Sequence, residues 1–405
     1  MKGHFYKPNC KCPKDKKCTC GATWSYIIDI GTDPKTGKRR QKKKGGFKTK
    51  QTAQNAASLL ITELNQGTYV EEKNVTFEQF ANEWLQGYQN TGKVKISTIR
   101  VRKHEISRLI PYLGKLKLKD ITLRRYQNAL NDLKKEGYAD NTLEGVHSTG
   151  RMIFKRAVEL EVIKSDPTEY AFVPKTQKTV EELEQEEEIP KYLEKEELAL
   201  FLKTAKEQGL ERDYLIFLTL AYTGMRVGEL CALKWSDIDF EEQTISITKT
   251  YYNPKNNIRK YQLLTPKTIN SKRIIDVDET VIEEFKKHRI EQNKIKMLYR
   301  MTYYDKDFVF AQTDGKNVGY PPYIKLVAIR MARLLKLSDL NTSLTPHSLR
   351  HTHTSLLAEI GIGLEVIMQR LGHTDDDTTK NIYLHVTKPK KKEASQKFSE
   401  LMKSL

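Results

Sequence analysis

The sequence predicts a multidomain chain, mainly α with small β-sheets: an N-terminal three-stranded sheet plus helix, then a helical bundle, then an α+β domain. Three observations carry this. At 405 residues the chain is long enough for two or three domains, each with its own core. Its apolar pattern changes from short runs in the first 65 residues to long stretches with helical spacing from Val75. One acidic run, Glu181 to Glu188, interrupts an otherwise basic chain and marks a boundary. The expected divisions are 1–65, 75–175, a linker at 176–190, and 191–405.

In the first division, Trp24 to Ile30 reads as a strand and Lys35 to Lys44 as a turn followed by a basic strand. Gly45-Gly46-Phe47 reads as a further short strand or turn. Thr49 to Leu64 reads as a helix capped by Thr49, with Ala53, Ala56, Ala57, Leu60 and Leu64 on its apolar side. Lys38, Arg39, Arg40, Lys42, Lys43 and Lys44 fall on the sheet, as a DNA-binding ribbon or as a solvated basic arm. Cys10, Cys12, Cys18 and Cys20 lie within eleven residues. Four thiols this close outside an oxidising compartment point to a structural zinc ion more readily than to disulfides, with free thiols as the alternative. The spacing departs from the usual zinc pattern, because one residue rather than two separates each pair. Cys231 stands apart and reads as a small buried hydrophobe.

The second division reads as a bundle of about four amphipathic helices. Phe77, Phe80, Ala81, Trp84 and Leu85 make one apolar face, and Ile99 to Leu113 adds Ile106, Leu109 and Ile110. Thr122 to Glu136 and Thr142 to Leu160 follow. Arg100, Arg102, Lys103, Arg151, Lys155 and Arg156 form a candidate phosphate-contacting set whose value is collective. The acidic linker is expected to stay solvated or to form an exposed helix, and a role in competing with DNA for a basic surface is an open reading.

The third division is expected to open with helices around Glu194 to Lys206 and Glu211 to Ala221. Strands at Thr244 to Thr250, Tyr261 to Thr265 and Lys272 to Val277 follow, then a helix over Val281 to Lys296. A turn-rich segment, Pro266 to Ser271, carries Lys267 between the last two strands, with Lys272 and Arg273 as its rivals for a functional role. Ala394 to Leu405 reads as a short amphipathic helix bearing Phe398, Leu401, Met402 and Leu405; it either packs on its own domain or frays.

Four local patterns in this division carry chemistry. Thr223-Gly224-Met225-Arg226-Val227-Gly228-Glu229-Leu230 is a turn into a helix with an arginine at its start. Pro346-His347-Ser348-Leu349-Arg350-His351-Thr352 sets a histidine and an arginine three apart on a helix. Leu371-Gly372-His373 and Thr379-Lys380-Asn381-Ile382-Tyr383-Leu384-His385 complete the set. Each alone has an ordinary explanation, such as a surface ion pair or a packed ring. Together, two guanidinium groups, two imidazoles, a lysine and a tyrosine can attack a phosphodiester without a metal. Arg226 and Arg350 would clamp the phosphate oxygens as charge grows on them. A tyrosine hydroxyl, with an ordinary pKa of about 10, needs a base, and His347 is the candidate. His373 would add a hydrogen bond to the phosphate, and Lys267 would protonate the departing oxygen. Glu229 would orient the arginine or cap the helix.

On these residues the chain resembles the tyrosine recombinase family, specifically phage and conjugative-transposon integrases. The resemblance spans nearly the whole chain and is most specific over Thr223 to Leu230 and His347 to His385. It implies that Tyr383 attacks the phosphate to form a covalent 3′-phosphotyrosyl link, conserving bond energy so that no cofactor is required. It implies that the lysine lies in a β-hairpin turn, which Lys267 matches loosely. It also implies an arm-type DNA-binding domain at 1–65, a core-binding domain at 75–175, and a catalytic domain at 191–405 whose tail can dock on a neighbouring protomer. The implied partners are double-stranded DNA at core and arm sites, three further copies of the chain in a homotetramer, and, as accessory factors, an excisionase and a host DNA-bending protein. Two other functions stay open: a type IB topoisomerase, which the arm module argues against, and a DNA-binding regulator without catalysis.

Charge agrees with this. Lys and Arg number 70 against 52 Asp and Glu, for a net charge of +18 and a pI near 9.4. That fits a phosphate-tracking surface, and on charge alone would also fit a ribosomal or membrane-surface protein. The N-terminus lacks a secretory apolar core, and the longest apolar run, Leu215 to Tyr222, is too short to span a bilayer. A soluble, cytoplasmic protein acting on the nucleoid is the expectation.

Overall fold

The computed structural model describes residues 3–8, 10–12, 20–32, 36–66, 69, 74–176, 192–266, 271–372, 377–386 and 402. Lys267, His373, Cys18, the acidic run and the expected tail helix, Met402 apart, lie outside them. The chain divides into two units, Met1–Thr179 and Val180–Leu405. No helix among the described residues is long and apolar enough to cross a membrane.

The first unit opens with an antiparallel sheet in the order β1 (His4–Tyr6), β2 (Trp24–Thr32), β3 (Arg39–Phe47). The sequence reading misplaced one strand. Gly45-Gly46-Phe47 continues β3 rather than forming its own strand, because Gly46 at φ +90° takes up a register shift opposite Trp24 and Tyr26. The third strand is instead β1, three residues long, a run too short to show an alternation. Lys38 lies just ahead of β3. Tyr26 and Ile28 point from β2 onto α1 (Lys50–Asn65), where Ala53 and Ala57 leave room for them. Thr49 caps α1, exchanging hydrogen bonds with Thr52.

The remainder of this unit is the bundle α2 (Phe77–Asn90), α3 (Ile96–Leu113), α4 (Leu123–Lys135) and α5 (Asp140–Glu159). Thr76 and Gln79 close α2 with a reciprocal cap, and Thr122 caps α4. Phe77 stacks on Phe154 with centroids 5.6 Å apart, and Leu109, Leu130, Val146 and Ile153 fill the space around them. Each such fully buried side chain stabilises the bundle by roughly 1.5–3 kcal/mol. A salt bridge of 2.9 Å from Lys164 to Glu63 ties the end of the bundle to α1.

The second unit is built around α7 (Asp213–Thr223), which follows α6 (Lys195–Gln208). Residues Leu215 to Ala221 are buried on every side of α7 and apolar except Thr219, whose hydroxyl bonds the Leu215 carbonyl at 2.7 Å, so the helix runs through the core. Then come α8 (Val227–Cys231), β4 (Ile238–Asp239), β5 (Thr244–Ile247), β6 (Thr250–Tyr252), β7 (Gln262–Leu264), β8 (Arg273–Asp276) and α9 (Glu279–Leu298). The last elements named among the described residues are α10 (Ile324–Leu337), α11 (Pro346–Glu359), α12 (Leu364–Leu371) and α13 (Asp377–Val386). The expected three-stranded sheet exists with different members: its order is β4-β5-β8, while β6 and β7 form a separate pair. The run Thr244 to Thr250 breaks at Lys249, whose ammonium bonds both carboxylate oxygens of Asp237 at 2.5 and 2.6 Å, and the chain restarts as β6. The segment carrying Lys267 therefore connects two sheets, not two strands of one.

Candidate active site

Gly224 sets the geometry of the site. It ends α7 in the left-handed region at φ +62°, which favours glycine, and a Cβ there would lie 2.7 Å from the His353 ring and 2.8 Å from Leu371. The turn that follows makes Arg226 the N-cap of α8. Glu229, 3% exposed, accepts from the Arg226 backbone N–H at 3.0 Å and from its guanidinium at 3.0 Å. It thus both caps the helix and orients the arginine.

Arg273 on β8 donates to the same carboxylate at 2.9 and 3.3 Å, and its Nε donates to the Arg370 carbonyl at 2.7 Å. Burial pushes the Glu229 carboxyl up, but the hydrogen bond and charge of Arg273, with those of Arg226, hold it below its ordinary value. Glu229 is therefore an anion that fixes two cations. Arg273, named above as a rival to Lys267, is held here as a buried brace. Lys272 is exposed and lines a groove of about 920 Å³ with Ile274, Asp276, Glu365 and Met368.

Arg350, on α11, is 2% exposed. Its guanidinium donates to the Gly224 carbonyl at 2.8 Å and to the Leu371 carbonyl at 2.6 Å. One side chain thus joins the turn before Arg226, the helix of His347, and the end of α12 immediately before His373. Gly372 ends α12 at φ +70°, and a Cβ there would meet Arg273 Cδ at 3.1 Å and Ser271 Cα at 3.3 Å. The described residues flanking Lys267 and His373, Ser271 and Gly372, therefore lie side by side.

His347 is exposed in the first turn of α11, with its ring edge-on to His351 at 4.8 Å. Tyr383, half-buried on α13, packs against the cluster of Ala358, Ile367 and Leu371. Helix α13 lies along α11, so the tyrosine and the arginine are carried by packed neighbours.

Two residues of this network escaped the sequence reading. His353 donates from Nδ1 to the Ala221 carbonyl at 2.9 Å, and its Nε2 accepts from Arg370 Nε at 3.1 Å. A carbonyl can only accept, so Nδ1 carries the proton and the ring is the neutral tautomer. Burial, with the nearby Arg370 charge, lowers its pKa to about 4. Arg370 also donates to the carbonyls of Tyr222 and Asp276 at 3.2 and 2.9 Å. The only sequence signal was their position beside motif residues. Among the described residues, Arg226 and Arg273 share one buried carboxylate while backbone carbonyls hold Arg350 and Arg370, so cations outnumber the anion here, a setting that attracts a phosphodiester.

The expected DNA-contact residues belong to the first unit. Arg39, Arg40, Lys43 and Lys44 are exposed on β3 with Lys42 half-buried between them, Lys38 is exposed just before it, and Arg39 pairs with Asp29. Arg100 and Lys103 are exposed on α3, Arg151 and Lys155 on α5. Arg102 departs from the set: it turns inward to Glu105 at 3.0 Å and Thr149 at 2.8 Å, joining α3 to α5. Cys231 is buried, and burial raises its thiol. The sulfur atoms of Cys10, Cys12 and Cys20 lie within 4.8 Å of one another and could hold a metal ion.

Residues 191–390 match the family model described as the phage integrase family. Residues 76–134 match that of the phage integrase N-terminal SAM-like domain, and residues 14–64 that of an arm DNA-binding domain. The chain is 31% identical over 352 residues to the integrase of Staphylococcus phage L54a, across 84% of this chain and 97% of that protein. Among solved structures it resembles a fragment of the Tn1549 transposon integrase in complex with transposon right end DNA. The TM-score is 0.64 at 22% identity, over 80% of this chain and 100% of that one. It also resembles a lambda integrase tetramer bound to a Holliday junction, with a TM-score of 0.53 at 19% identity, over 88% of this chain and 91% of that one. At these identities the two structures speak for the fold.

Proposed function

We propose residue roles from one premise: the chain belongs to the phage integrase family and is a site-specific tyrosine recombinase, an enzyme that binds DNA and breaks and rejoins its strands. Tyr383 attacks the scissile phosphate, leaving a 3′-phosphotyrosyl link and a 5′-hydroxyl. Its proton passes to His347. Arg226 and Arg350 take up the charge that builds on the phosphate oxygens, and His373 adds a hydrogen bond. Lys267 protonates the departing oxygen. No step requires a cofactor, because the link keeps the bond energy for the second strand's attack. The chain inserts a mobile element by this route and, with an excisionase and a host bending protein, removes it.

The observation that carries this reading is the pair of hydrogen bonds that Arg350 donates to the Gly224 and Leu371 carbonyls. It supports a single centre by drawing three separated motifs together with the guanidinium fixed before substrate arrives, so no reorganisation is spent in the transition state. Residues 1–65 would bind arm sites, 75–175 would bind core sites, 176–190 would link them to the catalytic residues 191–405, and four copies would act together on DNA, as the lambda integrase tetramer does on a Holliday junction.

The test is covalent trapping on a nicked duplex of the element's own end, followed by nuclease digestion and peptide mapping. Wild type should give an adduct mapping to Tyr383, and Tyr383→Phe should bind with near-native affinity and give none. An adduct that survives this change would mean the nucleophile is elsewhere.

A further inference from the structure

We propose that the connection between β1 and β2 holds a zinc ion on the thiolates of Cys10, Cys12 and Cys20, as a structural staple of the N-terminal sheet. The three sulfurs lie within 4.8 Å of one another, and Cys10 and Cys20 are 3.6 Å apart. Tetrahedral zinc with bonds of about 2.3 Å holds its thiolates about 3.8 Å apart, whereas a disulfide needs about 2.05 Å. An all-sulfur donor set selects a soft or borderline ion and disfavours magnesium or calcium. Each thiol loses its proton on binding. The fourth thiol of this stretch, Cys18, lies outside the described residues, and the proposal rests on the other three.

The fold gives the ion something to do. Strand β1 is three residues long and joins β2 through residues 7–23, where hairpins usually need about 2–5. The core beneath is small: among the described residues its buried apolar side chains are Tyr26, Ile28, Ala53 and Ala57, with Phe5, Phe47, Leu60 and Leu64 partly buried against them. Modules with so thin a core commonly require a disulfide or a metal. At the base of the connection, Cys10 N–H bonds the Lys7 carbonyl at 3.3 Å and the Lys7 ammonium sits 5.3 Å from the Trp24 ring, at the first residue of β2. Closing this loop through the ion holds Phe5 against Tyr26 and so fixes the face of β2 that supports basic β3.

The metal assignment does not depend on the roles of Tyr383 or the arginines; only its DNA readout rests on the integrase reading. In the reduced full-length chain, bound metal is exchanged for cobalt(II). The expected result is a sulfur-to-cobalt charge-transfer band with intense tetrahedral visible bands, displaced stoichiometrically by zinc. Cys10→Ser, Cys12→Ser and Cys20→Ser should each weaken metal binding by at least about 100-fold, and Cys231→Ser should not. Stripping the ion should lower affinity for arm-site DNA roughly tenfold or more and leave trapping on a nicked core site unchanged. A wild-type chain with reduced thiols and no charge-transfer band would overturn the proposal whatever the variants do, as would bands that persist in the three serine variants. Unchanged arm-site affinity after stripping would overturn the staple role. Cobalt bands in a chain that fails to trap DNA would support the metal site and count against the catalytic reading alone.

Discussion

The two cation-rich regions of this protein hold their charges in opposite ways. In the catalytic unit, Arg350 and Arg273 are buried, and Glu229 and backbone carbonyls fix their planes. On β3, Arg39, Arg40, Lys43 and Lys44 stand exposed over a thin core. Fixed guanidinium groups suit a reaction in which charge appears on known oxygens for a moment. Exposed flexible ammonium groups suit a long phosphate surface where counterion release supplies the free energy. On the proposed roles, one region would serve rate and the other affinity.

Breaking the buried brace should have the largest effect. Glu229→Gln leaves Arg226 and Arg273 without their shared anion and should destabilise the catalytic unit by about 3–5 kcal/mol, read as a shift in its urea midpoint. An unchanged midpoint would mean that the brace contributes little. The next effect is pH dependence. His353 has a folded pKa of about 4 against about 6.5 when unfolded, so the unfolded chain binds more protons between these values. Stability should therefore be complete above about pH 6.5 and fall as pH drops toward 4, by up to roughly 3 kcal/mol. His353→Gln, which keeps a polar group but does not titrate, should flatten that part of the profile; an equally steep profile would assign it to other groups. The smallest effect belongs to the sheet. Lys42→Ala, Lys43→Ala or Lys44→Ala should each reduce the slope of log affinity against log salt by roughly 1 on arm-site DNA, with cleavage of a nicked core site untouched. Equal slopes would remove that lysine from the interface.

What was legible in the sequence follows the range of the forces involved. Thr49, Thr76 and Thr122 sit three residues from the groups they bond, so the helix starts could be read locally. The strands were less legible: β1 is too short to alternate, and the ion pair from Lys249 to Asp237 that divides β5 from β6 spans twelve residues. The motif residues could be recognised by type and order. Their bracing could not, because Arg273 reaches Arg370 across 97 positions and His353 reaches Ala221 across 132, through carbonyls that every residue carries. Arg102 shows the converse, since an arginine among basic neighbours gives no sign in sequence that Thr149 will draw it inward.

The most direct test of the account measures rate and affinity together for the arginines. Arg226→Ala and Arg350→Ala would be compared with wild type for single-turnover adduct formation on a nicked core duplex and for binding to the same duplex. If fixed guanidinium groups act on the transition state, adduct formation should fall by at least about 10²–10³-fold while binding changes only a few-fold. Cleavage at the wild-type rate in either variant, or a loss confined to binding, would contradict it.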